Sequence, residues 1–209
     1  MPEWQTISSL ATAGGTLVLA AATFSAVRSS NRSARVAEES LLAGIRPLLM
    51  PSLAGDPVHK ALWGDRHIAK VEGGRAVVEQ EGGVIYLALG LRNVGAGIAI
   101  IHGWFAMAYD PFDGSTHRPP EEFRRQGIDL YVPAGGTGYW EAAIRDAEDP
   151  MRPAVETSLA TREPFRLDLL YGDQRGGQRT ITRFIMVPAE DFWYGQSSRH
   201  WSLDRPDPR

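Results

Sequence analysis

Cysteine is absent from the 209 residues of the chain, and that absence removes disulfides, thiol nucleophiles and thiolate metal sites together. Lysine is nearly absent: Lys60 and Lys70 are the only two, and the other basic residues are arginine. The basic side totals 22 against 25 acidic residues, a net charge of −3 and a pI near 6.0, so no global field favours nucleic acid. Catalytic and metal signatures are missing as well. The histidines, at 59, 67, 102, 117 and 200, include no HxH, HxxxH or HExxH pair. Gly95-Ala96-Gly97 lacks the third glycine and following helix of a dinucleotide turn, Gly172 to Gly177 lacks the Lys-Ser/Thr of a P-loop, and no Gly-x-Ser-x-Gly elbow occurs. The expectation is a non-enzymatic protein with no cofactor, no metal site and no nucleic-acid partner.

One further absence is positional. Trp4 to Val27 is a run of 24 residues without a charge. As a helix it reaches about 36 Å, enough for a hydrocarbon core of about 30 Å. Its serines and threonines dilute it, although hydroxyls in a helix bond back to the preceding turn. A transmembrane helix over 4–27 is the expected reading. A cleaved signal peptide over 1–26, giving a secreted protein, is the alternative; it is opposed by an n-region, Met1-Pro2-Glu3, with no basic side chain. Arg28, Arg32 and Arg35 follow the span, so the positive-inside rule puts the C-terminal part in the cytoplasm and the protein in the plasma membrane. Trp4 then sits in the outer interfacial belt, and the three arginines face anionic lipid. Overlapping small residues, Ser9-Ala13 and Ala11-Gly15, offer a face for a homodimer through this helix.

Past the span, residues 28–44 read as a juxtamembrane helical stalk, with helix-spaced Arg35 and Glu38 or Glu39, ended by Gly44 and Pro47. Strand patterns take over from there. Arg46–Met50 is short; 68–71 with 76–79 suggests a hairpin; 84–94 and 98–109 are long runs; 129–132, 137–144, 165–171 and 180–187 follow. Glu121 to Gln126 reads as one helical turn and 154–160 as a short surface helix. About seven principal strands in succession, without alternating long helices, predict a mainly β domain over 45–188, an antiparallel sandwich. Residues 189–209 read as a polar tail carrying aromatics.

Three of these elements, Leu91-Arg92-Asn93-Val94-Gly95, the long strand Ile98 to Tyr109 and Val132-Pro133-Ala134-Gly135, resemble the immunoglobulin-like accessory domains of bacterial surface and membrane proteins. The resemblance covers roughly residues 45–187, and the stretches 52–82 and 111–127 depart from a minimal sandwich. It implies an immunoglobulin-like fold serving as an interaction module or spacer, with no fixed catalytic set.

Candidate sites are few. Phe192, Trp193, Tyr194 and Trp201 stand among polar residues, as bulky aromatics of a protein–protein interface do. The opposing expectation is that they fold back and seal the sandwich. Asp65 and His67, in an irregular segment with Trp63, are a low-ranking hydrolase-type pair against the reading of a solvated loop. His102, between Ile101 and Gly103 of an apolar strand, reads as a structural histidine. Together these features predict a single-pass scaffold that holds a protein partner at the membrane, or a ligand sensor with a pocket in the sandwich.

Overall fold

The computed structural model describes residues 3–112 and 116–204, with side chains from residue 13 onward. The ring of Trp4 and the packing pairs of Ser9 and Ala11 fall outside the described side chains. Among the described residues the chain is mainly β, with one long N-terminal helix.

The chain divides into two units, Met1–Ala43 and Gly44–Arg209. The first is helix α1 (Glu3–Gly44), continuous through both the charge-free run and the arginine-rich stretch. It stops where Gly44 and, beyond it, Pro47 no longer extend a helix. Among the described residues no helix is long and apolar enough to cross a membrane, so the span expected over Trp4–Val27 gains no support from that criterion.

Among its described residues the second unit holds eleven strands where the sequence suggested about seven. They are β1 (Leu49–Pro51), β2 (His59–Leu62), β3 (Ile68–Val71), β4 (Ala76–Glu81), β5 (Val84–Asn93), β6 (Ala99–Ala108), β7 (Arg124–Val132), β8 (Thr137–Ile144), β9 (Phe165–Gly172), β10 (Thr180–Pro188) and β11 (Trp193–Ser202). Helix α2 (Arg152–Thr161) lies between β8 and β9, and a 3-10 turn spans Pro120–Glu122. Nine strands form one antiparallel sheet in the order β1-β5-β4-β11-β10-β9-β6-β7, with β8 along the free side of β5; β2 and β3 pair apart. The link between β4 and β11 is a single residue pair, Ala76 with Trp193.

Period-two patterning builds the core. Ile85, Leu87, Leu89 and Leu91 of β5 point to one face, as do Phe165, Leu167, Leu169 and Tyr171 of β9, and all belong to one buried cluster with Trp104, Trp140 and Phe184. Fully burying each such side chain contributes about 1.5–3 kcal/mol.

Three expectations are corrected. The hairpin 68–71 with 76–79 does not form: β3 pairs with β2, while β4 pairs with β5. Gly73 and Gly74 make the redirecting turn, because a Cβ on Gly73 would stand 2.3 Å from the Leu53 carbonyl oxygen and Gly74 has φ +72°. The single helical turn read over 121–126 is a 3-10 turn that passes into β7 at Arg124. Residues read as the start of a tail are β11, paired along β10 from Thr180–Ser202 to Pro188–Trp193.

The Asn-x-Gly turn has a specific task. Asn93 is fully buried, and its Oδ1 accepts from the backbone N–H groups of Leu48 and Gly95 at 3.1 and 3.0 Å. Its Nδ2 donates to the carbonyls of Gly97 and Val132 at 2.6 and 3.0 Å. The amide is thereby fully satisfied and ties the segment leading into β1 to the sheet. Gly97 is required there, since a Cβ would fall 1.8 Å from the Ile45 oxygen.

Candidate functional site

Both departures from a minimal sandwich turn out to be covers over outward faces of the sheet. The β2–β3 hairpin closes over β4, β5 and β8, where Ala61, Trp63, Val71, Tyr86 and Ala88 form a second apolar cluster. The Trp63 indole N–H donates to the Ala142 carbonyl at 2.9 Å, and the Tyr86 hydroxyl donates to Asp65 at 2.8 Å. That bond, with the Arg145 guanidinium at 2.9 Å and the His67 backbone N–H, holds the Asp65 carboxyl down at about 2. His67 stacks on Tyr86 at 3.8 Å, and its two ring nitrogens face Glu79 at 2.6 Å and Glu81 at 3.2 Å. Asp65 and His67 are thus neighbours whose side chains are not bonded to each other. Each is committed elsewhere, and a carboxylate–imidazole dyad is not assembled.

The second cover, described over residues 109–112 and 116–123, includes the 3-10 turn and meets the last residues of β11. Phe123, Leu170, Ile181 and Trp201 are buried together there. Beside them Arg183 and Asp168, 2% and 1% exposed, make a two-pronged pair at 2.9 and 3.0 Å. The Arg183 guanidinium lies 4.6 Å from the centre of the Trp201 ring and also donates to the Thr116 carbonyl, pinning the cover to the sheet.

Two concavities lie beside this second cover. A cleft of about 420 Å³ is lined by His102, Arg125, Glu121, Phe123 and Leu170 among others. A second, of about 680 Å³, lies across Pro120 and Glu121 and includes His117, Arg179 and Trp201. His102 sits at the most irregular point of the sheet. Against β9 it is an extra residue, because Ile101 pairs with Tyr171 and Gly103 with the adjacent Leu170. Against β7 it lies opposite residues 126–129, which have no partners in β6. Bulges of this kind re-aim a side chain and cluster beside functional sites. Two glycines make room: a Cβ on Gly172 would stand 2.9 Å from His102 Nε2, and one on Gly103 would stand 2.8 Å from the Arg124 oxygen. Burial, and then the charge of Arg179, push the His102 pKa below the usual imidazole range, which favours the neutral ring. Neither His102 nor the Arg125 side chain has a hydrogen-bond or ion-pair partner among the described residues.

The sequence reading did not single out this cleft. Its one available signal was Gly103, since a glycine inside an apolar strand marks a bulge or a close backbone approach. The aromatics it did single out are divided. Trp193 and Trp201 are buried at 4% and 5% exposure, whereas Phe192 and Tyr194 are half-buried, with Arg75 stacked 4.5 Å from the Phe192 ring. Arg28, Arg32 and Arg35 are exposed on α1, and no group of three or more His, Asp or Glu capable of holding a metal occurs among the described residues.

No family model matches the chain. Comparison with curated proteins and with solved structures likewise returned no match.

Proposed function

We propose that the chain is a single-pass, non-enzymatic interaction protein, anchored by α1 in the plasma membrane and presenting its β unit on the cytoplasmic side. The observation that carries this reading is the exposure of apolar side chains on successive residues of α1 among those described. Leu17, Val18 and Leu19 are 74%, 69% and 71% exposed, and Phe24 is 71% exposed. Successive residues of a helix point about 100° apart, so no single neighbouring helix covers Leu17, Val18 and Leu19 together, whereas lipid does. The uncharged run gives way at once to Arg28, Arg32 and Arg35, the arrangement expected at a cytoplasmic interface.

The β unit is read as a sandwich. Its support is the single-pair link between β4 and β11 and the buried cluster that draws on both β5 and β9. The partner-binding surface is assigned to the half-buried Phe192 and Tyr194 with Arg75, now that Trp193 and Trp201 are committed to packing.

Membranes carrying the full chain, washed with alkaline carbonate, are the test. The chain is expected in the pellet, and Leu19→Arg is expected to move most of it to the wash. Recovery of the parent chain in the wash overturns the anchor. A reporter on the C-terminus that is active only in an oxidising compartment should stay inactive; activity would reverse the orientation.

A second reading, a membrane-held ligand sensor, is favoured by a separate observation. The His102 cleft has the volume of a small-molecule site, and His102 and Arg125 in its wall have no hydrogen-bond or ion-pair partner among the described residues.

A further inference from the structure

We infer that the cleft beside His102 binds a small monocarboxylate with an apolar body, held by the His102 imidazole and the Arg125 guanidinium; this rests on the sensor reading.

The cleft is built, in the sense that several elements give up regularity to make it. β6 breaks register toward both neighbours at His102, residues 126–129 of β7 have no partner in β6, and glycines stand where side chains would close the space. Charge then selects the ligand. Arg124, next along β7, is paired with Asp149, and Arg179 across the cover is paired with Asp204. Arg125, between an exposed edge and the cleft, has no such partner among the described residues, so its guanidinium is open to a ligand at a concave site. Its planar fork matches a carboxylate with two parallel bonds, and a ring N–H of His102 supplies a further donor.

Glu121 lines the same cleft from the 3-10 turn, and Asp129 acts on His102 from β7. Two carboxylates near one free guanidinium work against a doubly charged anion such as phosphate and leave a single negative charge acceptable. Buried Phe123 and Leu170, with Pro120, give the apolar floor on which the rest of the ligand lies. The volume, about 420 Å³, admits a small molecule and not a folded partner.

The test uses the full chain in detergent micelles with histidine labelled at Cε1, His102 being assigned from the resonance lost in His102→Asn. Phenylacetate is the probe. The His102 resonance should move saturably with a Kd of about 1 mM, the scale of a ligand this small, while the other four histidines stay in place. Arg125→Gln should weaken binding at least tenfold with an unchanged circular dichroism spectrum, and inorganic phosphate should bind at least tenfold more weakly than phenylacetate. Equal binding by Arg125→Gln, or a preference for phosphate, overturns the inference. Benzyl alcohol and benzylamine run in parallel separate the two levels. If either moves His102 and phenylacetate does not, the carboxylate assignment falls and the sensor reading stands. If none of the probes moves His102 at concentrations up to about 50 mM, fifty times that Kd, both fall.

Discussion

The two covers of the β unit do the same mechanical job with opposite treatment of charge. Under the β2–β3 hairpin, Asp65 is taken by Tyr86 and Arg145, and His67 is held between two glutamates while stacked on an aromatic ring. Under the second cover, the arginine–aspartate pair at Arg183 and Asp168 is equally well matched, yet His102 and Arg125 are left without hydrogen-bond or ion-pair partners among the described residues at a cleft wall. Asp65 and His67 are both committed to partners under the first cover, although His59 Nε2 in β2 is buried without one among the described residues, and an unpaired buried group costs about 1–3 kcal/mol. Polar groups left open on a deliberately irregular strand are what a binding site needs. His102 and Arg125 put such open groups at the second cover, in the wall of a cleft.

The comparison breaks most severely where each cover is pinned. Trp63→Ala removes an almost fully buried indole and its bond to the Ala142 carbonyl, and should cost about 4 kcal/mol by denaturant titration. Hydrogen exchange should speed up across β2 and β3 far more than across β9. Asp168→Asn leaves Arg183 buried with its counter-charge gone, at about 3 kcal/mol, and here the protection lost should be that of β9 and β10. If either variant loosened both covers equally, the two would form one cooperative unit and the contrast would be lost.

How much of this the sequence discloses follows the same division. Strands whose core face is a plain period-two series are legible: β8, β9 and β10 fall within a residue or two of the alternating patterns at 137–144, 165–171 and 180–187. The Asn93-Val94-Gly95 turn is legible because few residues can satisfy four backbone groups and tolerate such close approach. Strand β11 is hidden, since only Trp193 and Trp201 along it are buried and the exposed polar residues between them imitate a tail. Strand β2 is hidden for the same reason, with Ala61 its only fully buried residue. The cleft is hidden more deeply. It depends on a register break spanning β6, β7 and β9, and a register relation between distant strands leaves no local pattern beyond Gly103.

Smaller effects sharpen the contrast through pH. Glu141 faces the first cover, accepts the Leu62 N–H at 3.1 Å, and has its pKa raised by burial, an effect that bond partly opposes. The protonated form is favoured in the fold, so its contribution is present below the unfolded carboxyl range and is lost as pH rises through the folded pKa. Glu141→Gln keeps an acceptor for Leu62 without the charge. It should gain about 0.5–1 kcal/mol at pH 7, and the gain should vanish by about pH 4.

His102 on the second cover has the opposite sign. Its folded pKa lies below its unfolded one, first through burial and then through Arg179, so the folded state binds fewer protons between those two values. The associated stability is present above the ordinary imidazole pKa of about 6.5 and is lost as pH falls through the folded pKa. His102→Gln, which cannot titrate, should therefore flatten the acid-side slope of stability below about pH 6.5 and leave the slope above it unchanged. The change should be the smallest of the set, under about 1 kcal/mol at pH 5.5, because the ring is only half withdrawn from solvent. Thermal unfolding of the parent and the variant at pH 5.5 and 7.5 measures it. A steeper slope in the variant would mean that the protonated ring of His102 is favoured by the fold, and would overturn the reading of an open, neutral imidazole at the second cover.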